Sequence, residues 1–247
     1  MSRAFSLHGR KALVTGANTG LGQAIAVGLA TAGAEVVCAA RRAPDETLAM
    51  IADTGGKAHA LQVDFSDPMA ACDIFGGHDI DILVNNAGII RRADATDFTE
   101  TDWDDVMDVN LKAVFFTSQA FARALFAAGK PGKIINIASL LSFQGGIRVP
   151  SYTASKHGLA GLTKLLANEW AARGINVNAI APGYIETNNT EALRADPDRN
   201  KSILERIPAG RWGRAEDIAG AAVFLAAPAA DYVHGAVLNV DGGWLAR

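Results

Sequence analysis

Seven short apolar runs, spaced by stretches of helix length, constrain this chain more than any other feature. They fall at 11–16, 34–40, 59–64, 81–88, 132–139, 175–183 and 236–243. Most are apolar nearly throughout instead of alternating, the pattern of parallel strands covered on both faces. Between them lie helical patterns such as 20–34, where Ile25 and Leu29 are four apart, and 104–129, which ends at a glycine suited to a helix C-terminus. Strand and helix alternating this regularly predict an α/β fold: a single doubly wound, parallel, seven-stranded sheet of Rossmann type, with helices on both faces and right-handed crossovers. The 247 residues suit one domain, 1–247, with a substantial core. No repeat, low-complexity tract or linker interrupts it. One stretch, 184–213, breaks the rhythm: polar, proline-bearing and long for a connection, it reads as a substrate loop region.

Composition narrows the function. A net charge of −3 and a pI near 5.9 offer no basic field to nucleic acid or anionic lipid. No apolar run reaches the ~18 residues of a membrane span, and the N-terminus lacks a signal-peptide pattern, so a soluble cytoplasmic protein is expected. Cys38 and Cys72 are too few for a disulfide framework or a Cys-rich zinc site, and Cys38 reads as a buried thiol. The histidines are scattered, and no metal site is expected.

The first apolar run leads into "TGANTGLG", with Gly16, Gly20 and Gly22 spaced G-x3-G-x-G. Glycines allow a tight turn and close approach of a pyrophosphate, and a following helix supplies N–H donors at its positive end. The spacing differs from G-x-G-x-x-G and from the phosphate loop that ends in Gly-Lys-Ser/Thr. The second run ends "CAARRAP", with Ala40 where an acidic residue would hold a ribose 2′-hydroxyl, then Arg41 and Arg42. Losing the carboxylate removes a repulsion and Arg41 adds a bidentate donor, which favours NADP; NAD stays open.

The stretch "SYTASK" (151–156) places Tyr152 and Lys156 on one helical face, with Ser151 as expected N-cap. A lysine ammonium one turn away, and a positively charged nicotinamide, would favour the phenolate and bring the tyrosine toward acid/base work. Ser139 ends a predicted strand at the sheet edge where such folds place their sites, and could hold a substrate oxygen. Asn110 could bind a water that feeds protons to Lys156. His157 would face away, one position round the helix, and Arg214, Glu216 and Asp217 read as a solvated helix start.

These pieces, "TGANTGLG", "NNAG" (85–88), Asn110, Ser139, "YTASK" and "PG" (182–183), resemble the short-chain dehydrogenases/reductases over essentially the full length. The resemblance implies a catalytic tetrad of Asn110, Ser139, Tyr152 and Lys156. It implies a cofactor held by Gly16, Asn18, Thr19, Gly20, Leu21, Gly22, Arg41, Asn86, Ala87, Gly88, Tyr152, Lys156, Pro182 and Gly183. Asp64 and Phe65 would meet the adenine, and Ile185 and Thr187 the nicotinamide carboxamide. Thr19 stands where many NADP-using members carry a basic residue. The family also implies a homotetramer built near the C-terminus, for which 219–227 and 236–247 are suitably apolar.

Within that family the stretches "ILVNNAGIIRRADA", "KIINIASLLSFQGGIRVPSYTASK", "NVNAIAPGYIETNNTEALRAD" and "VDGGWLAR" are similar to the 2-deoxy-D-gluconate 3-dehydrogenases, also described as 2-dehydro-3-deoxy-D-gluconate 5-dehydrogenases. A sugar acid needs a cation and short polar partners. Arg148 is the expected carboxylate partner, with Ser139, Gln144, Tyr152 and Asn188 as further substrate contacts; Arg91, Arg92 and Asn189 lie nearby. Trp212 would close over the ring or anchor the loop. Gluconate 5-dehydrogenase and 3-oxoacyl-carrier-protein reductase chemistry use the same tetrad. A non-catalytic nucleotide sensor would have no use for Tyr152.

Overall fold

The computed structural model describes residues 3–69, 74–75 and 79–247. Cys72 lies outside them. One sheet takes in the strands β1 (Lys11–Thr15), β2 (Glu35–Ala40), β3 (Lys57–Gln62), β4 (Ile82–Asn85), β5 (Gly132–Ile137), β6 (Ile175–Pro182) and β7 (Val237–Val240). Their order is β3-β2-β1-β4-β5-β6-β7, and every neighbouring pair is parallel. The order reverses between β1 and β4, which pair Ala12–Val14 with Ile82–Val84 and open a crevice at their C-terminal ends.

The helices follow from local chemistry. α1 (Gly20–Thr31) starts at the glycine turn, and α2 (Asp45–Asp53) carries Asp45 and Glu46 against the positive end of its dipole. α5 (Pro150–Trp170) begins with proline in its first turn, where the missing N–H is no loss. The N-cap is Val149; Ser151 already lies inside the helix, fully buried, with its hydroxyl unpartnered. The expected cap at Ser151 is therefore displaced by Pro150, which fixes the entry one residue earlier.

The long helix expected over 104–129 forms in three parts. α3 (Glu100–Met107) starts at Thr99, whose side chain accepts the Asp102 N–H, and a π-helical turn over Asp108–Lys112 leads into α4 (Ala113–Ala128). α4 stops at Gly129, which is left-handed at φ 64°. The stretch 184–213 is folded: a 3-10 turn at Asn188–Thr190, then α6 (Glu191–Ala195) and α7 (Pro197–Arg206). α8 (Ala215–Ala226) follows, with Asp217 bonded to the Arg214 N–H as a helix-start contact.

Two apolar cores sandwich the sheet. Ile25, Leu29, Ile218, Ala222 and Leu225 join α1 and α8 to one face, with the fully buried Cys38 among them. Phe121, Leu125, Leu166 and Trp170 join α4 and α5 to the other. Helices on both faces make the fold doubly wound, as the apolar strand runs require.

Candidate active site

A cleft of about 360 Å³ opens where β1 and β4 diverge. Its floor is the glycine turn. Gly16 (φ 66°) and Gly20 (φ 59°) sit in left-handed conformations that L side chains rarely adopt. A Cβ on Gly22 would collide with the Gly16 carbonyl, so the turn closes on itself only with glycine. A Cβ on Gly20 would stand in the open cleft, 3.8 Å from Thr187 Cγ2. The N-cap of α1, Thr19, makes no side-chain cap bond, which leaves the first amides of α1 for a ligand. An uncapped helix start facing a glycine cradle fits a pyrophosphate.

Two buttresses hold this floor. The hydroxyl of Thr47 on α2, fully buried, donates to the Ala17 carbonyl at 2.7 Å and accepts from Gln23 Nε2 at 3.2 Å. Asn86 Nδ2 donates to the carbonyls of Thr15 (2.9 Å) and Gly16 (3.3 Å), while Thr15 Oγ1 accepts the N–H groups of Asn86 and Ala87, each at 2.9 Å. Thr15 and Thr47 were not among the residues expected from sequence. Each acts through the backbone of a distant segment, and no local pattern signals that.

Asn18, Thr19, Leu21, the Asn86–Gly88 turn, Pro182, Gly183, Ile185, Thr187 and Asn188 also line the cleft, together with Ile89, Ile137, Ala138 and Thr190. Arg41 and Asp64 lie outside its lining, exposed at the ends of β2 and β3. The Asp64 carboxylate accepts the N–H and hydroxyl of Ser66 at 3.0 and 2.8 Å, which hold it below the usual range, and Arg41 adds a smaller electrostatic pull. Phe65 differs from expectation: it is buried in the core beneath α4 and α5, where an apolar ring gains more than at a cofactor rim.

The other wall carries Ser139, Tyr152 and Lys156. Ser139 follows β5; its Oγ accepts the Leu141 N–H at 3.1 Å, and it lines the same wall as the Tyr152 phenol. Burial raises the pKa of Tyr152 above its usual value, and the Ser139 hydroxyl and the charge of Arg92 only partly offset this. The expected lowering by Lys156 is not what governs Tyr152 here. Lys156, itself buried, donates from Nζ to the Ile137 carbonyl at 2.6 Å, and burial brings its pKa down to about 8.

Asn110 sits in the π-helical turn and is 1% exposed. Its Oδ1 accepts the Ile89 N–H (2.8 Å) and its Nδ2 donates to the Ile89 carbonyl (2.9 Å), so the amide clamps the chain beyond Gly88. That use of both amide ends makes the side chain a brace for this wall of the cleft.

A dinucleotide seat beside a Ser–Tyr–Lys wall invites comparison with known proteins. Residues 16–245 match the family described as Enoyl-(Acyl carrier protein) reductase. The 2-dehydro-3-deoxy-D-gluconate 5-dehydrogenase of Dickeya dadantii is 58% identical over 250 residues, covering 98% of each chain. This chain is a short-chain dehydrogenase/reductase. A crystal structure of a proposed 2-deoxy-D-gluconate 3-dehydrogenase from Agrobacterium tumefaciens, with bound NADP, is 80% identical, covers 100% of both chains and superposes with a TM-score of 0.98. A proposed NAD(P)-dependent gluconate 5-dehydrogenase from Beutenbergia cavernae, with NADP at low occupancy, is 52% identical, covers 99% of this chain and all of its own, and has a TM-score of 0.96.

In this dehydrogenase the expected substrate residues separate. Asn188 lines the cleft, but Gln144 and Arg148 do not. Gln144 Oε1 accepts from Trp244 Nε1 at 3.4 Å. Arg148 Nε pairs with Asp94 at 2.9 Å, and its carbonyl accepts the Ala93 N–H at 3.2 Å. Arg148 thus ties the loop before α5 to the loop after β4, instead of reaching into the cleft. Arg91 is likewise held, by Asp102 and Asp105. Trp212 anchors the loop: it is buried, and its Nε1 donates to Asn200 at 2.7 Å. Among the described residues, no group of three metal-ligating side chains and no membrane-spanning helix is present.

Proposed function

We propose that the protein transfers a hydride between NADP and a secondary hydroxyl or ketone of a deoxy sugar acid, as a 2-deoxy-D-gluconate 3-dehydrogenase or 2-dehydro-3-deoxy-D-gluconate 5-dehydrogenase would. The observation that carries this is one cleft lined both by the glycine turn and by Ser139, Tyr152 and Lys156. Bound there, the nicotinamide supplies or accepts the hydride at its C4.

Tyr152 holds the proton that the substrate oxygen gains or loses, and Ser139, lining the same wall, orients that oxygen. Lys156 lies close enough to Tyr152 to follow its ionisation and bonds the nicotinamide ribose. Asn110 fixes the backbone beyond the Asn86–Gly88 turn, where a misplaced wall would cost orientation. Asn18, Thr19, Leu21, Pro182, Gly183, Ile185 and Thr187 seat the dinucleotide, with Asp64 at its adenine end. Arg41 favours the 2′-phosphate of NADP.

The sugar-acid reading is supported by the 58% identical Dickeya dehydrogenase, whose likeness covers 98% of each chain. Asn188 meets the substrate from the loop after β6. The family description names an acyl-carrier reaction, but a net charge of −3 gives no general attraction for an acidic carrier. The half-exposed edge strand β7 supports a homotetramer, which light scattering would check. A cytoplasmic location accords with this soluble chemistry.

Initial rates with 2-deoxy-D-gluconate, D-gluconate and a 3-hydroxyacyl thioester, each with NAD and NADP, test the assignment. Turnover should be greatest with the deoxy sugar acid. Turnover confined to the thioester would contradict it.

A further inference from the structure

Ser139 stands beyond the end of β5, not on the strand itself. It is extended and caps a short 3-10 turn, Leu140–Ser142, by accepting the Leu141 N–H on its Oγ at 3.1 Å. With the oxygen used in that way, the hydroxyl proton stays free for a substrate oxygen. The turn closes on itself. The Ser139 carbonyl accepts the Ser142 N–H at 2.9 Å, and the Leu140 carbonyl accepts the N–H groups of Phe143 and Gln144 at 3.0 and 3.2 Å. A turn this short keeps its internal shape, but its place against the helices is set from outside.

Two contacts set that place, and they differ in kind. Leu140 is buried in one apolar cluster with Ile203, Ile207, Trp212 and Trp244, a non-directional contact that fixes depth. Ser142, 7% exposed, donates from Oγ to the main-chain carbonyl of Lys156 at 2.7 Å. That carbonyl belongs to α5, one helical turn beyond Tyr152, so the bond ties the turn bearing Ser139 to the helix bearing Tyr152 and Lys156. A carbonyl inside a helix ordinarily accepts the N–H four residues on, so the Ser142 bond is an addition to α5 and not part of its ladder. Gly146 lets the following loop fold back on the turn, since a Cβ there would stand 2.7 Å from Leu141 Cδ1.

We propose that Ser142 is a positioning residue for hydride transfer: its bond to the Lys156 carbonyl sets where the Ser139 hydroxyl meets a substrate oxygen shared with Tyr152. Ser142 is not part of the cleft lining and acts through Ser139, which is. A small displacement of a reacting or orienting group costs the chemical step far more than it costs binding. The proposal rests on reading the cleft as a hydride-transfer site, and not on which alcohol is oxidised there.

Single-turnover kinetics of Ser142→Ala test it. Enzyme in excess of NADP would be mixed with a saturating alcohol, whichever of 2-deoxy-D-gluconate, D-gluconate and a 3-hydroxyacyl thioester the wild type oxidises, and reduced cofactor followed by absorbance. The first-order rate constant should fall by roughly tenfold or more, with the Kd for NADP and the KM for the alcohol unchanged. A merely structural role would lower the melting temperature and the amplitude, which counts active protein, and leave the rate constant alone. That result would overturn the proposal. In Ser139→Ala protein, adding Ser142→Ala should slow the step no further, because the group that Ser142 positions is gone. Equal slowing in both backgrounds would also overturn it. A wild type that oxidised none of the three alcohols would contradict the hydride-transfer reading itself.

Discussion

Lys156 and Tyr152 share one face of α5, with the ammonium 5.5 Å from the centre of the phenol ring, yet that ammonium is bonded to the Ile137 carbonyl at 2.6 Å. Burial acts on both groups in the same sense, disfavouring their charged forms. Burial thus favours a neutral tyrosine beside a weakened ammonium. A bound oxidised nicotinamide would add the positive charge that draws Tyr152 toward ionisation. Ultraviolet difference titration should show Tyr152 ionising at lower pH once NADP⁺ is bound.

The depressed Lys156 pKa has a stability consequence with a definite sign. The folded value is about 8 against 10.5 for the free side chain, so below about pH 8 both states are protonated and folding bears the whole desolvation cost. That cost, about 3 kcal/mol from the pKa difference, fades as pH rises toward 10.5 because the unfolded chain then binds more protons. Tyr152, raised instead, acts oppositely above its ordinary value of 10.0, so the window to read runs from about 8 to 10. Denaturant titrations should show Lys156→Met stabilised over the wild type at neutral pH, by a margin that shrinks across this window. Parallel curves would contradict the burial account.

Gly22 and Gly20 should fail differently when changed to alanine. At Gly22 the added methyl meets the Gly16 carbonyl, and the backbone must move. A loss of roughly 2 kcal/mol or more in stability is expected, with nucleotide binding lost as well. At Gly20 the methyl enters the cleft at φ 59°, so strain near 1 kcal/mol accompanies a large rise in the Kd for NADP. Thermal melts and nucleotide titrations separate the two.

Arg41→Ala should raise the Kd for NADP about tenfold or more while leaving NAD unchanged, since only NADP carries the 2′-phosphate. Equal effects on both cofactors would remove Arg41 from that role.

Arg148 is the one described non-glycine residue at positive φ (63°), and its ion pair with Asp94 is largely exposed, 61% and 65% for the two side chains. An exposed pair contributes little, while the left-handed backbone strains any side chain. Arg148→Gly should leave stability unchanged or slightly raised, by up to about 1 kcal/mol. A large rise in sugar-acid KM with unchanged stability would return Arg148 to the pocket.

Much of this was legible in the sequence because parallel strands buried on both faces read as unbroken apolar runs. "GKIINIAS" became β5 and "INVNAIAPG" became β6 with little trimming. Gly129 stopped α4 as a left-handed cap, and "YTASK" put Tyr152 and Lys156 on one helical face. What stayed hidden depended on partners distant in sequence. Thr47 looks like any helical threonine until its hydroxyl meets Ala17, 30 residues away. Arg148 looked like a substrate cation because nothing local reveals its ion pair with Asp94. The π-helical turn at Asn110 was equally invisible, since its apolar pattern continues on either side.

The central claim is that Tyr152 and this cleft support hydride transfer to a sugar acid, and isotope transfer tests it most directly. The protein would be incubated with the keto form of the deoxy sugar acid and NADPH deuterated at C4, on each face in turn, and the product examined by mass spectrometry. The account predicts one deuterium at the new carbinol carbon from one face only, with Tyr152→Phe slowing its appearance by roughly a hundredfold or more. Reduced product without deuterium from either face, or full turnover in Tyr152→Phe, would contradict it.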